Sequence, residues 1–177
     1  MTWVWKPLAY SGGHIHTEPD LVVWREIAAV GEDPLDGSTI RLQVRYGDKL
    51  GRYYIAGFAL GDLGESNEVT GARLRDMPIL SHLRDALDGY AEVMLSTGDS
   101  FDPLQVSAAR SEIIDGGPSS REAMLATARV YRYAQILNLS PAFAVQTTLG
   151  LTAPTATLWI RRARSQGLLG TYGQTDG

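Results

Sequence analysis

The sequence predicts an α+β fold, with an N-terminal antiparallel β-hairpin or small sheet packed on a helix and a C-terminal three-helix unit after it. Three patterns predict this fold: apolar and polar residues alternate over 39–46, an apolar helical stripe follows Pro78, and three capped helical segments follow residue 119. The boundaries that result are an N-terminal α+β domain (1–96), a linker (97–118), a helix-turn-helix domain (119–170) and a flexible tail (171–177).

The clearest strand covers residues 39–46. A period of two places one side of this segment on a core and the other side in water. A turn over 47–51 and a second apolar segment over 52–60 complete a β-hairpin. The side chains expected on the core side are Ile40, Leu42, Val44 and Tyr46.

The residues before the hairpin give weaker signals. Trp3 and Trp5 alternate with smaller residues and predict a short first strand, which Ser11-Gly-Gly13 is expected to end. The segment 20–30 fits two structures. It is either a helix capped by Asp20 or a buried strand, and periodicity does not decide between them.

The predicted helix after the hairpin begins at Pro78 and carries an apolar residue at every third or fourth position. Gly89 lies within this stripe and disfavours a helix by about 1 kcal/mol relative to alanine. We therefore predict a helix over 78–88 and leave open an extension to 96. The stripe either covers the hairpin or forms a dimer seam. Its members are Leu80, Leu83, Leu87, Tyr90 and Met94.

Composition excludes several classes of protein. The 177 residues contain no cysteine, so disulfides, thiol nucleophiles and cysteine-ligated zinc or iron–sulfur sites are excluded. No apolar run is long enough to span a bilayer, and the start does not have the pattern of a secretory signal. We therefore expect a cytoplasmic protein without membrane contact.

The sequence contains no recognisable catalytic motif. It has no nucleophile elbow, and Gly61-Asp-Leu-Gly64 lacks the lysine and spacing of a phosphate-binding loop. We therefore expect neither enzymatic activity nor a cofactor. A weaker alternative remains open: His14 and His16 share a face of an extended segment near Glu18 and Asp20, an arrangement that would suit a metal ion or a small hydrolase site.

Charge is unevenly distributed along the chain. Residues 1–118 hold 10 basic and 18 acidic side chains, a net charge of −8, whereas residues 119–177 hold 6 basic and 2 acidic side chains, a net charge of +4. An acidic body joined to a basic end indicates two parts with different partners. We expect the acidic part to serve dimerisation or to bind a protein partner or ligand.

Start and stop signals divide the basic end into three helices. Ser119 and Glu122 have capping-box spacing for a first helix over 120–137. Ser140 and Pro141 begin a second, over 141–149, because serine caps a helix and proline suits its first turn. After a turn at Gly150, Thr152 caps a third helix that Gly167 ends. The expected shared core is Val145, Leu149, Leu151, Ala156, Trp159 and Ile160.

Residues 141–169 resemble the helix-turn-helix segment of a large group of small, mostly uncharacterised actinobacterial and actinophage proteins. A weaker match covers residues 71–80. The resemblance implies a DNA-binding regulatory or accessory protein. The matching motifs are Leu149-Gly150-Leu151, the cap Thr152, Thr155 to Thr157, Trp159, Arg161-Arg162-Ala163-Arg164 and Gly167-Leu168-Leu169.

The third helix of such a unit enters the major groove of DNA, and its first residues meet the base edges. A single unit binds weakly, so the expected partners are double-stranded DNA and a second copy of the chain. Arginines supply phosphate contacts, which set affinity rather than sequence choice. The predicted DNA-binding residues are Thr152, Ala153, Pro154, Thr155, Thr157, Leu158, Arg161, Arg162 and Arg164, with Arg121, Arg129 and Arg132 of the first helix as a second row.

Two departures from the usual pattern motivate an alternative. Gln146 occupies a position that is usually alanine, and Ala153-Pro154 begins the third helix where polar or basic side chains usually meet bases. The alternative is a protein-interaction or structural adaptor whose helix-turn-helix does not bind DNA.

Overall fold

The computed structural model has the predicted α+β fold, an antiparallel sheet followed by helices. Four strands pair in chain order, and a short fifth strand, β5, pairs with the first residues of β2, beyond the point where β3 ends. The structure describes residues 3–35, 37–61, 75, 77–88 and 91–170. The strands are β1 (Val4–Thr17), β2 (Leu21–Glu32), β3 (Thr39–Gly47), β4 (Arg52–Gly61) and β5 (Val93–Leu95).

The predicted hairpin is confirmed as β3 and β4. On β3 the side chains predicted for the core are each at most 5% exposed, and the residues between them are exposed or half-buried. Tyr53 of β4 joins this core, and its hydroxyl donates to the carbonyl of Trp24 at 2.7 Å. The alternation therefore determines which side of the sheet faces the helices.

Two expectations for the first strands are resolved. The segment is a strand from Leu21 onward, because 21–30 lie within β2 and pair with β1 on one side and with β3 on the other, while Asp20 belongs to the turn before it. The predicted end of β1 at Ser11-Gly-Gly13 is wrong. Gly12 and Gly13 adopt φ of 75° and 74° and form an irregularity between Ser11 and His14, after which pairing with β2 resumes. Glycine tolerates such angles, so the strand bends without ending.

Helix α1 (Ile79–Leu87) confirms the shorter predicted helix, and the extension to 96 is wrong. The chain is already extended at Asp88, and 93–95 form strand β5. Leu83 and Leu87 are buried where α1 packs against the sheet, whereas Leu80 is 67% exposed. The stripe thus covers the sheet only in part; its member Tyr90 lies outside the described residues.

His82 of α1 is buried against the rings of Trp3 and Trp5, with ring centroids 5.2 Å and 5.9 Å away. Burial lowers the pKa of His82, and the carboxylate of Asp85 opposes this shift. The folded protein therefore binds this proton more weakly than the unfolded chain, whose histidine pKa is about 6.5. The His82 contribution to stability is present above that value and is lost as the pH falls through it toward the folded pKa.

We expect His82→Phe to reduce the acid sensitivity of folding, because phenylalanine keeps a ring in the same place and cannot be protonated. The measurement is the urea midpoint of both proteins at pH 7.5 and pH 5.5. The midpoint of the wild type should fall more between these pH values than that of the variant. An equal fall of the urea midpoint in both proteins would show that His82 does not contribute to the acid sensitivity of folding.

The helices after β5 pack on one another and on the sheet. No helix of the described residues is long and apolar enough to cross a membrane. The helices are α2 (Pro103–Ala108), α3 (Arg110–Asp115), α4 (Arg121–Ile136), α5 (Pro141–Leu149) and α6 (Ala153–Ser165), with a 3-10 turn (Gly117–Ser119) before α4.

The prediction that 97–118 is a linker is wrong, because this segment contains α2 and α3, which pack against α4 and α5. Asp102 caps α2 by accepting from the Leu104 amide at 2.8 Å, and Pro103 occupies its first turn. Asp102-Pro103 is thus a helix-start signal of the same kind as Ser140-Pro141.

Candidate nucleic-acid interface

The two last helices meet at a tight turn. Helix α5 ends at Gly150, which has a φ of 63° in the left-handed region. Thr152 then caps α6, and its Oγ1 accepts from the Thr155 amide at 3.4 Å. The predicted cap and turn are both confirmed. Glycine adopts this conformation without the steric cost of a Cβ, so the chain reverses within a few residues.

Helices α4, α5 and α6 pack on one another around a shared apolar core. Trp159 of α6 is 3% exposed, and Leu151 of the turn is half-buried against this core. At the start of α4, Ser120 rather than the predicted Ser119 accepts from the Ala123 amide. The other predicted core residues, each at most 5% exposed, are Val145, Leu149, Ala156 and Ile160.

The opposite side of α6 faces solvent. Successive residues of a helix are rotated by about 100°, so Pro154, Leu158 and Arg161 lie on the side away from Trp159. These three residues are exposed, as are Ala153 and Thr157. The first turns of α6 therefore offer an accessible and mostly apolar surface with one cation a turn further along.

The hydroxyl groups of this surface already have partners within the helix. The Oγ1 atoms of Thr152 and Thr155 are 2.8 Å apart, and the Thr157 hydroxyl donates to the Ala153 carbonyl at 2.9 Å. The Thr157 oxygen keeps a lone pair that can accept from a base amino group. The methyl groups of Ala153 and the threonines suit contact with thymine methyls.

The three arginines of α6 differ in how firmly they are held. Arg161 is exposed and makes no hydrogen bond or ion pair with any described residue. Arg162 is half-buried and donates to the Pro118 carbonyl at 3.2 Å. Arg164 is exposed and donates to the Tyr131 hydroxyl at 2.7 Å, with its guanidinium 5.2 Å from the centre of that ring. Arg161 is thus the α6 cation most available to a phosphate.

The predicted second row of DNA contacts is wrong for Arg129 and Arg132. Both side chains of α4 point to the turn between β1 and β2. Arg129 pairs with the Asp20 carboxylate through Nε at 2.9 Å and Nη2 at 2.5 Å. Arg132 is 0% exposed, and its Nε donates to the Glu18 carbonyl at 2.9 Å. These arginines join the helices to the sheet, so they are not available to DNA. Arg121 is exposed.

The structure adds one cation that the sequence did not suggest. A Cβ placed on Gly150 would lie 3.7 Å from Nη1 of Arg110, so this α3 side chain reaches the turn before α6. Arg110 is exposed and has no hydrogen-bond or ion-pair partner among the described residues. It is 40 positions before Gly150 in the chain, and no local pattern links two such distant residues.

Acidic residues are absent from the sequence of α5 and α6. No Asp or Glu occurs between Glu122 and Asp176. The hydroxyl of Ser120 donates to the Glu122 carboxylate at 2.7 Å and lowers the pKa of Glu122. Glu112 and Asp115 are exposed on α3. Beyond Glu122, α4 and α6 thus carry arginines without carboxylates, and α5 carries neither.

The alternative metal site has no support in the structure. Within 3–35, 37–61, 75, 77–88 and 91–170, no three His, Asp or Glu side chains are close enough together to hold a metal ion. The ring of His14 packs on that of Trp24, with centroids 4.1 Å apart.

Comparisons of this chain with protein-family models, with curated proteins and with solved structures gave no match.

Proposed function

We propose that this protein binds double-stranded DNA through the exposed side of α6. The observation that carries the proposal is the outward side of this helix. Arg161 lies there without a partner among the described residues, one turn beyond accessible apolar residues, and Trp159 anchors the opposite side in the core. A helix held in this way after a glycine turn has the shape that enters a major groove in helix-turn-helix proteins.

The charges around α6 suit contacts to the phosphate backbone. Arg161 and Arg110 are exposed and have no partner in the described part of the chain, so they can bind phosphates, whereas Tyr131 holds Arg164 at the side of the helix. Such contacts supply affinity that falls as salt rises, and base contacts from the start of α6 supply sequence preference. In this proposal two copies read paired half-sites, and the acidic sheet domain stays clear of the duplex.

Fluorescence anisotropy of a labelled duplex of random sequence tests the proposal, with the full chain titrated at several salt concentrations. We expect binding that weakens with salt. Arg161→Gln should lower the slope of log affinity against log salt by about 1, because one phosphate contact is lost.

Arg25→Gln is the matched control, because it makes the same change of charge at an exposed arginine of the sheet that pairs with Asp48. We expect DNA affinity to change little in this variant. An equal loss of DNA affinity in the two variants would show that only the net charge of the protein matters, and it would contradict a site on α6. A folded wild type without salt-dependent binding would remove the proposal.

A second candidate function, a protein-interaction adaptor, is favoured by an apolar surface beside α5. Phe143 is 62% exposed, Leu139 45% and Leu104 77%. A groove of about 340 Å³ lies between the starts of α2 and α5 and the end of α4, and its lining includes Phe143 and Leu139. Exposed apolar patches of this kind mark protein contacts. Self-association that disappears in Phe143→Ser, together with no DNA binding, would favour this candidate.

A further inference from the structure

The side of the sheet that faces away from the helices carries an open depression of about 390 Å³. Ala29 and Leu42 border it but are only 1% and 2% exposed, because their side chains lie in the core. The side chains that form the depression are therefore those between the core positions. They are Leu8, Ala28, Arg41, Gln43 and Ala59, and the backbone of Gly57 and the exposed Phe58 complete the lining.

Two β-bulges lie at the same level of the sheet and flank the depression. The pairing of β1 with β2 shifts between Pro7 and Ala9, which leaves Leu8 as an extra residue. The pairing of β3 with β4 shifts between Gln43 and Val44, which leaves Ala56 as an extra residue. Bulges raise the local twist of a sheet and redirect side chains, and they are frequent next to binding sites.

The floor of the depression combines small residues of β2 and β4 with Gln43 of β3 between them. Ala28 pairs with Gln43, and Gln43 pairs with Gly57. A Cβ on Gly57 would lie 3.2 Å from Oε1 of Gln43, so the glycine leaves room for this amide. Leu8, which is 58% exposed, adds an apolar wall. The depression therefore offers apolar contact together with one amide.

The two β3 arginines on this side of the sheet differ in whether an acidic residue pairs with them. Arg45 pairs with Glu26 at 2.8 Å. Arg41, on the same side of β3, has no ion pair or hydrogen bond with any described residue, although Glu32 lies two pairs further along β2. Lys6 is exposed and lies in the same cross-strand row as Arg41, with Val30 between them. The edge of the depression that holds Arg41 is thus electropositive.

We propose that the sheet domain binds a small organic acid with a single carboxylate and an apolar body. The carboxylate pairs with the Arg41 guanidinium, which suits bidentate hydrogen bonding, and the apolar body lies on Leu8, Ala28 and Ala59. The volume matches that of small-molecule sites. A dianionic phosphate would keep one negative charge without a partner in the lining, where Arg41 supplies a single positive charge. This site is independent of DNA binding by α6.

Isothermal calorimetry of the full chain with phenylacetate tests the site, with phenylacetamide as the neutral probe of the same shape. We expect saturable binding of phenylacetate at one site and at least about tenfold weaker binding of the amide, since a charge-assisted hydrogen bond is lost. Arg41→Gln should weaken phenylacetate binding by about tenfold for the same reason. Ala59→Leu should abolish binding, because the larger side chain fills the floor.

Arg45→Gln is the matched control, with the same change of charge on the same side of the same strand. It should leave the affinity for phenylacetate within about twofold, because Arg45 already pairs with Glu26. Circular dichroism verifies that each variant is folded. Three results would overturn the proposal. They are equal affinity for the two probes, an equal loss of phenylacetate affinity in the two arginine variants, and no binding by the folded wild type.

Discussion

Replacing Trp159 with alanine is expected to lower the free energy of unfolding by about 3–5 kcal/mol. The indole is 3% exposed and lies in the core shared by α4, α5 and α6. Its removal leaves a cavity between helices whose backbones are fixed by the Gly150 turn and the Thr152 cap, so the site has little freedom to collapse. Urea denaturation followed by circular dichroism at 222 nm measures the change.

Leu158→Ala is the control for this variant, because Leu158 is the preceding residue of the same helix and is 36% exposed. Its effect should stay within about 0.5 kcal/mol, as is usual for surface positions. Comparable losses for the two residues would mean that α6 does not pack through the side that contains Trp159. In that case the outward surface proposed for DNA would also be misplaced.

The second large effect is expected for Arg132→Ala, at about 3 kcal/mol. Arg132 is 0% exposed and donates to the Glu18 carbonyl and to Oε1 of Gln135. Its loss leaves the Glu18 carbonyl and Oε1 of Gln135 without this donor and removes the buried alkyl stem of the side chain. Because the side chain joins α4 to the turn between β1 and β2, the sheet and the helices should also unfold less cooperatively.

Urea denaturation monitored by two signals measures both effects, with tryptophan fluorescence reporting mainly on the sheet and circular dichroism on the helices. Arg132→Met should be milder than Arg132→Ala, because methionine keeps most of the buried stem. Arg121→Ala, at an exposed arginine of the same helix, should change stability by no more than about 0.5 kcal/mol. If Arg121→Ala lowered the free energy of unfolding as much as Arg132→Ala, the buried arginine would have no special role in joining α4 to the β1–β2 turn.

Local patterns predicted much of the fold. The alternation over 39–46 identified the core side of β3, because a strand turns each successive side chain to the opposite side. Gly150 and Thr152 marked the turn and the cap, because backbone angle and capping depend on the residue itself and its nearest neighbours. The core residue Trp159 followed from helical spacing in the same way.

Contacts between distant parts of the chain were not predicted. Arg129 and Arg132 had the same local appearance as solvent-facing arginines, and only the approach of the β1–β2 turn to α4 buries them. The residues of β5 were predicted as a possible end of α1, because Met94 continues the helical stripe. Their pairing partner lies about 70 residues earlier in β2, so no local pattern shows the pairing. The position of Arg110 beside Gly150 depends on how α3 packs.

Neighbouring residues alone predicted the α+β class, the hairpin and the limits of the final helices, because periodicity, caps and positive φ angles are local properties. Which arginines are exposed became clear only from the packing of distant segments. Arg132 is buried in the contact between sheet and helices, while Arg161, Arg110 and Arg41 keep exposed side chains. Burial and ion pairing depend on which surfaces meet, and those surfaces come from residues far apart in the chain.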